Sequence, residues 1–481
     1  MNTTLFRKSA PMLALLGLAL GACQPDLEKD FEPSNGSADF TTYVAVGNSL
    51  TAGFSDNGLY LEGQQKSFPA ILAQQFATVG GGEFRQPLFT ETQANGSGFL
   101  KITDFVNGAP VIGRETTNLA TIPNTPLFTR SAETNNQNLG VPGIRVADVT
   151  TVGYGRITPQ SNAGNFNPYF ERLLSGSDTK TYLQYVQERV GTVKPTFFTN
   201  WLGNNDVLGF ASSGGTAAPL TPVAEFTDKY NQVVDALTTG GAKGIVITVP
   251  NVTNVPLFTT VPTATVIAQI QGTPIPAALV PVIAAQLGLP AGSPLPAGTR
   301  LGLYVRTSAT GTGAVRLATA NDLLLLPASS FINSAPVAPQ LFPGGVGLVI
   351  PNAPAATAAA LAATANAVPN SLVLDATEVT ATLARTTELN AVIRASAARK
   401  GLAVFDANAF FATVAPNGIV VNGVNNTAAF VSGNLFSLDG VHPTPRGYAI
   451  VANEMIKVIN STYGAKVPTV NPNNYRGVKF P

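Results

Sequence analysis

Tyr43-Val44-Ala45-Val46-Gly47-Asn48-Ser49-Leu50-Thr51 begins as an unbroken apolar run and ends in a turn. Apolar residues in succession, with no polar alternation, mark a strand whose sheet is covered on both faces. Gly47 lets the chain turn sharply after that strand. Ser49 then falls just past the strand's carboxyl end, where open α/β sheets bind their ligands. Taken alone, the stretch also fits an ordinary strand-to-helix turn.

Three further runs read as buried strands: Thr196–Leu202 (TFFTNWL), Gly244–Val249 (GIVITV) and Leu402–Phe405 (LAVF). Helical patterns alternate with them. Phe226, Tyr230, Val233, Val234 and Leu237 recur at helical spacing, with Thr221 as expected N-cap, Pro222 at the first helical position and Gly240 as the stop. A second helix is expected over Leu383–Lys400, closed by Gly401. A third starts at Pro445, capped by Thr444, with Tyr448, Val451, Met455 and Val458 on one face. This alternation predicts an α/β fold with a parallel sheet covered on both faces. No internal repeat interrupts it.

The segment 251–374 breaks the pattern. Its only charged residues are Arg300, Arg306, Arg316 and Asp322, and Ala, Pro, Thr and Val dominate it. It reads as one large insertion in the α/β core, without chemistry of its own. Pro354–Ala367 is Ala-rich and expected to be helical. The core is therefore expected in two parts, 41–250 and 375–465, followed by a C-terminal tail, 466–481.

Charge excludes several functions. Lys and Arg total 28 and Asp and Glu 27, so there is no basic field for nucleic acid. Charged residues make up 11% of the chain, against about 25% in ordinary domains. The surface must draw on Thr, Ser, Asn, Gln and Ala instead.

The chain holds one Cys and one His. An intrachain disulfide is impossible. A structural zinc site takes four Cys/His ligands and a catalytic one usually three protein ligands, so no metal is expected.

The single Cys has an informative position. Arg7 and Lys8 precede the apolar run Pro11–Ala22, which is shorter than the roughly 20 residues a membrane-spanning helix needs. Residues 1–22 therefore have the form of a signal peptide. They end in Leu20-Gly21-Ala22-Cys23, which resembles the bacterial lipobox. That resemblance implies that Cys23 becomes the first mature residue and carries acyl chains that anchor it to a membrane. Residues 23–40, with Asp26, Glu28, Asp30 and Glu32, read as a solvated tether. The acidic run looks like the surface-export signals of some Gram-negative lipoproteins, and equally like a plain soluble linker.

Four pieces carry chemistry together: Gly47-Asn48-Ser49-Leu50; Asn138-Leu139-Gly140-Val141-Pro142-Gly143; Gly203-Asn204-Asn205-Asp206; and Asp439-Gly440-Val441-His442. In this order they resemble the SGNH (GDSL-like) hydrolase family, which distributes Ser, Gly, Asn and His over separate blocks. Ser49 matches the first-block Ser, Gly143 the second-block Gly, Asn205 the Asn of Gly-x-Asn-Asp, and Asp439 and His442 the Asp-x-x-His. With the lipobox, the Ser49 block looks most like lipoprotein members of the Bacteroidetes type. One residue departs from the pattern, since Asn48 stands where the family usually has Asp.

The resemblance implies a flavodoxin-like three-layer α/β/α fold with about five parallel strands. It also implies a serine esterase or lipase that needs no cofactor. A Ser hydroxyl becomes nucleophilic only when a base takes its proton, and His442 is the sole imidazole. Asp439 would orient that imidazole. The Ser49 and Gly143 backbone N–H groups and the Asn205 amide would form the oxyanion hole. Asp206 would act as a structural partner. The implied substrate is a lipid, glycan or small-molecule ester, met at the outer membrane or cell surface. The alternatives are a carbohydrate acetylesterase on the same site, or a non-catalytic lipoprotein binding glycan or lipid.

Overall fold

The fold is described from a computed structural model, covering residues 32–156, 166–307 and 314–481. The expected signal peptide and Cys23 lie outside the described residues.

The central sheet has four parallel strands in sequential order: β1 (Tyr43–Gly47), β2 (Phe197–Trp201), β3 (Lys243–Ile247) and β4 (Ala403–Phe405). All four lie within or beside the runs expected to form strands. A fifth segment runs along the free edge of β1. There the Ala45 N–H donates to the Gln137 carbonyl (2.8 Å), the Leu139 N–H to the Ala45 carbonyl (2.8 Å) and the Val141 N–H to the Gly47 carbonyl (3.0 Å). Only one bridge forms, between Ala45 and Asn138, so this edge is irregular.

The helices that matter here are α1 (Ser49–Ala52), α2 (Phe68–Ala77), α3 (Tyr182–Val193), α4 (Asn205–Ala211), α5 (Val223–Thr238), α6 (Ala376–Lys400) and α7 (Pro445–Tyr463). Successive strand residues point to opposite faces. Val44, Val46, Phe198 and Val246 pack with Tyr182, Val186, Phe226, Tyr230, Val233, Leu389 and Ile393, so α3, α5 and α6 cover one face. Tyr43, Ala45, Phe197, Trp201, Ile245, Ile247 and Phe405 pack with Phe68, Ile71, Phe76, Tyr448, Met455 and Ile459, so α2 and α7 cover the other.

Two helix starts differ from expectation. α5 begins one residue late, with Pro222 as N-cap, because the Thr221 hydroxyl donates to Asp206 Oδ1 (2.8 Å) instead of capping the helix. α6 begins at Ala376, well before Leu383. Asp375 caps it and Glu378 reaches back to the Asp375 N–H, forming a reciprocal box. Its stop at Gly401, with φ 64°, is where the sequence places it.

The insertion builds small cores of its own. Arg300–Arg306 pairs antiparallel with both Val315–Leu317 and Val346–Val349. Val261, Leu303, Val305, Val368 and Val373 bury together on one side, and Ile283, Leu301, Phe342 and Leu361 on another. Ala355–Thr364 is helical, as its composition implies. Of its few charges, Asp322 is fully buried and takes a bidentate bond from Arg316, at 2.7 Å for each oxygen. The insertion also docks on the main body, where Phe258, Leu325 and Leu374 enter the larger core. Among the described residues, no single helix is long and apolar enough to cross a membrane.

Candidate active site

Ser49 is the first residue of α1, at the carboxyl end of β1. Asn48 caps this short helix, its Oδ1 accepting from the Leu50 N–H at 3.0 Å. Capping needs an acceptor only, so the amide serves where the family pattern has a carboxylate. The amide NH₂ of Asn48 is left buried without a partner. Gly47 is required by close approach, since a Cβ there would fall 2.0 Å from Thr51 Oγ1 and 3.0 Å from the Trp201 carbonyl.

His442 arrives from the turn before α7. Its Nε2 lies 2.8 Å from Ser49 Oγ and its Nδ1 lies 2.9 Å from Asp439 Oδ2. The Asp439 carboxylate is held from several sides. Its Oδ1 accepts from the Val441 and His442 N–H groups, both at 2.8 Å, and from Ser437 Oγ at 3.2 Å. Its Oδ2 also accepts from the Asn57 N–H at 2.8 Å. Burial alone would raise this carboxyl. The neighbouring imidazole and these donors outweigh burial and hold it at about 2. Ionised Asp439 accepts a hydrogen bond from Nδ1–H, which leaves Nε2 as the acceptor for the Ser49 hydroxyl. The Phe54 ring lies 4.7 Å from the imidazole, centroid to centroid, and packs against it.

The second and third sequence blocks meet beside Ser49. Asn205 opens α4, and its Nδ2 donates to the Ile144 carbonyl at 2.9 Å. A primary amide has two hydrogens, so one remains for a ligand. Gly143 has φ +84°, and a Cβ there would touch only Asn167 Nδ2, at 3.5 Å. Glycine is therefore demanded there by backbone conformation and not by crowding. The Ser49 and Gly143 N–H groups have no acceptor among the described residues.

Asp206 ties these two loops together. Its oxygens accept from the Val146 N–H (2.8 Å), the Ala147 N–H (3.2 Å) and the Thr221 hydroxyl (2.8 Å). Full burial pushes its carboxyl up to about 6, against the pull of those donors. Asp206 thus holds these loops in place and, among the described residues, makes no hydrogen bond to Ser49 or His442. Asp206→Ala strips partners from one buried and one half-buried backbone donor, and is expected to cost roughly 2–4 kcal/mol of folding stability in urea unfolding.

Sequence reasoning missed a supporting network behind Asp439. Asp56 and Asn57 both adopt left-handed backbone, with φ 53° and 56°. Asp56 Oδ1 accepts from the Leu438 N–H (3.0 Å), and the Asp56 N–H donates to Ser437 Oγ (2.8 Å). Tyr60 donates its hydroxyl to Asp56 Oδ2 at 2.9 Å. Arg476 forms a fork to Glu62 at 2.8 and 2.9 Å and donates to the Tyr60 hydroxyl at 2.9 Å. The segment read as a C-terminal tail therefore braces the turn that carries Asp439 and His442. Asp56-Asn57-Gly58 is a recognisable turn in sequence, yet nothing local connects it to Asp439.

On the far side, the insertion contributes one brace. The Leu257 N–H donates to the Gly440 carbonyl at 2.9 Å, between Asp439 and His442 in sequence. Gly440 has φ +70°, and a Cβ there would press on Leu257 N at 3.0 Å.

No family model matches the chain, and no curated protein matches it.

Proposed function

We propose that this protein is a serine ester hydrolase with Ser49 as nucleophile. The observation that carries this reading is the continuous chain of hydrogen bonds from Ser49 Oγ through His442 to Asp439. A structural histidine would need only one such partner. Here both ring nitrogens are committed, and one of them to a hydroxyl at the end of a sheet strand.

The proposed steps start from that hydrogen-bonded chain. His442 Nε2 takes the Ser49 proton as Oγ attacks the ester carbonyl carbon. The carbonyl oxygen becomes an oxyanion, for which the Ser49 N–H, the Gly143 N–H and the remaining Asn205 hydrogen are the proposed donors. The imidazolium, stabilised by Asp439, returns its proton to the departing alcohol. Water, deprotonated by His442, then attacks the acyl-enzyme and frees Ser49. This sequence calls on no metal or organic cofactor. Asn205→Ala removes one oxyanion donor, and kcat for p-nitrophenyl acetate is expected to fall by about 10²–10³ with KM changed little.

The finer fold assignment belongs to the same proposal. The edge segment Gln137–Val141 beside β1, followed by β2, β3 and β4, supports a flavodoxin-like sheet of the SGNH kind. Labelling of Ser49 by a fluorophosphonate probe, located by mass spectrometry, tests the reading directly. An unlabelled Ser49 in folded protein, with no ester hydrolysis, would leave the glycan- or lipid-binding lipoprotein as the better account.

Localisation is proposed from the lipobox alone: an envelope protein anchored through acylated Cys23. Cys23→Ser is expected to move the protein from the membrane fraction to the soluble fraction. Retention of the processed variant on membranes after a high-salt wash would reject the anchor, since salt screens adsorption by charge.

A further inference from the structure

Behind the turn that carries Asp439 and His442 stands a second carboxylate, Asp56, which is buried. Its backbone is left-handed, and so is that of Asn57. Asn adopts that conformation as readily as Asp, as the neighbour shows, so the local fold calls for no charge at this position. A buried carboxylate is costly without a partner, and Asp439 is a like charge close by. Its link to the turn is double. Asp56 Oδ1 accepts from the Leu438 N–H, and the Asp56 N–H donates to Ser437 Oγ, which in turn donates to Asp439 Oδ1. Burial pushes the Asp56 carboxyl up. The Leu438 N–H, Arg476 and Tyr60 oppose that push, and the charge of Asp439 adds to it. Among the described residues the one ion pair of Asp56 is with Arg476, whose Nη2 lies 3.8 Å from Oδ2. The closer link runs through Tyr60, which accepts from Arg476 Nη2 and donates to Asp56 Oδ2, both at 2.9 Å. Hydrogen bonds in series polarise one another, so the guanidinium strengthens the bond that Tyr60 gives to Asp56.

We propose that Arg476 is a positioning residue of the reaction, and that its charge, carried through Tyr60 and Asp56, fixes the turn bearing Asp439 and His442. The inference rests on the ester-hydrolase reading of Ser49 and adds to that machinery a residue from the far end of the chain. With the guanidinium in place, Asp56 stays an acceptor toward both Leu438 and Tyr60. Without it, the buried carboxylate keeps a like charge beside it and loses its cation, so taking up a proton becomes the cheaper way to stay buried. A neutral Asp56 holds the Leu438 N–H more weakly, since bonds to an ionised acceptor are roughly twice as strong. The turn then gains freedom. A displacement of about 1 Å at a reacting group can cost about 10²-fold in rate. Half-buried Glu62 takes the fork of Arg476 at 2.8 and 2.9 Å and so aims the guanidinium at Tyr60.

The chain's single histidine makes the test specific. In purified full-length protein carrying isotopically labelled histidine, one imidazole signal reports the Nδ1 proton that bonds His442 to Asp439. Arg476→Gln is expected to lower kcat for p-nitrophenyl acetate about tenfold to a hundredfold, with KM changed less than about threefold. It should also move that proton signal upfield. Tyr60→Phe deletes only the linking hydroxyl and should reproduce both effects, and it carries the test if Arg476→Gln does not fold. Asp56→Asn keeps the shape, loses the charge and should do the same. Arg476→Lys keeps the charge without the fork, and should retain more kcat than Arg476→Gln. The double variant, Arg476→Gln with Asp56→Asn, should be no slower than the slower single variant, because both cut one chain. Wild-type kcat with an unmoved imidazole signal in Tyr60→Phe, folded by circular dichroism, overturns the proposal. So do losses that multiply in the double variant, or an Arg476→Lys no faster than Arg476→Gln. Fluorophosphonate labelling of Ser49 in the wild type separates the two failures. A labelled Ser49 with variants as fast as the wild type rejects the role of Arg476 alone, and an unlabelled, inactive wild type rejects the hydrolase reading beneath it.

Discussion

Ser49→Ala is expected to lower kcat for ester hydrolysis by about a million-fold while leaving the protein folded. The size of the loss follows from the absence of a substitute. In triad enzymes, removal of the nucleophile costs as much as removal of the whole triad, because the parts act as a unit. His442 Nε2 would then face a methyl group, and the oxyanion donors would be left with water as the attacking species. The structural cost is small. Ser49 Oγ makes its hydrogen bond to His442, and Asn48 rather than Ser49 caps the helix. Stability should change by less than about 1 kcal/mol, as for substitutions outside core packing and caps. Steady-state kinetics with circular dichroism as the folding control check both halves. Wild-type turnover in the purified variant would remove Ser49 from the mechanism.

Asp439→Asn carries the second largest effect, an expected fall in kcat on the order of 10⁴. The amide can keep its oxygen toward the Val441 and His442 N–H groups, which occupy Oδ1. Its NH₂ must then face His442 Nδ1 and the Asn57 N–H, where Oδ2 accepted before. The imidazole is driven to the wrong tautomer, with Nε2 protonated toward Ser49, and it can no longer act as base. The same substitution has a signature in stability. The carboxyl is depressed to about 2 in the folded protein from an ordinary 3.8. A depressed acid stabilises the fold above its unfolded value and loses that contribution as pH falls through the folded value. The wild type should therefore be more stable than the variant by roughly 2 kcal/mol at pH 5 to 7. The gap should narrow steadily between pH 4 and pH 2. Urea unfolding of both proteins across that window measures it, and a gap independent of pH would contradict the assignment of Asp439 as an ionised partner.

The framework of the fold was legible because its signals are local. Each sheet strand is a short apolar run with a turn after it, and α7 shows its Thr444 cap and its apolar stripe in one short stretch. The failures mark places where a distant residue decides. Thr221 looks like a cap until Asp206 claims its hydroxyl. The edge segment at Gln137–Val141 is a strand only because β1 lies beside it. The start of α6 was readable, since Asp375 and Glu378 have the spacing of a capping box, but the apolar period begins later and drew the boundary with it. The candidate site divides in the same way. Asp439 and His442 are three apart, and a tight turn joins them. Asn57 lies 382 positions from Asp439, and Arg476 lies 414 from Glu62, so no motif could pair them. Low charge hid the insertion's sheet, because Val, Ala, Pro and Thr without alternation give no period to follow.

The hydrogen bond between Ser49 and His442 spans 393 positions of chain. Its consequence is one of timing. During synthesis, at about 5–20 residues per second, the serine emerges tens of seconds before the imidazole it is paired with. Loops this long also close late in folding. No earlier histidine exists to stand in. A chain halted anywhere before residue 442 carries a serine without a base, and one that stops short of Arg476 has the base without its rear support. On the proposed mechanism a copy cut before residue 442 would be chemically silent, since it lacks one end of this bond.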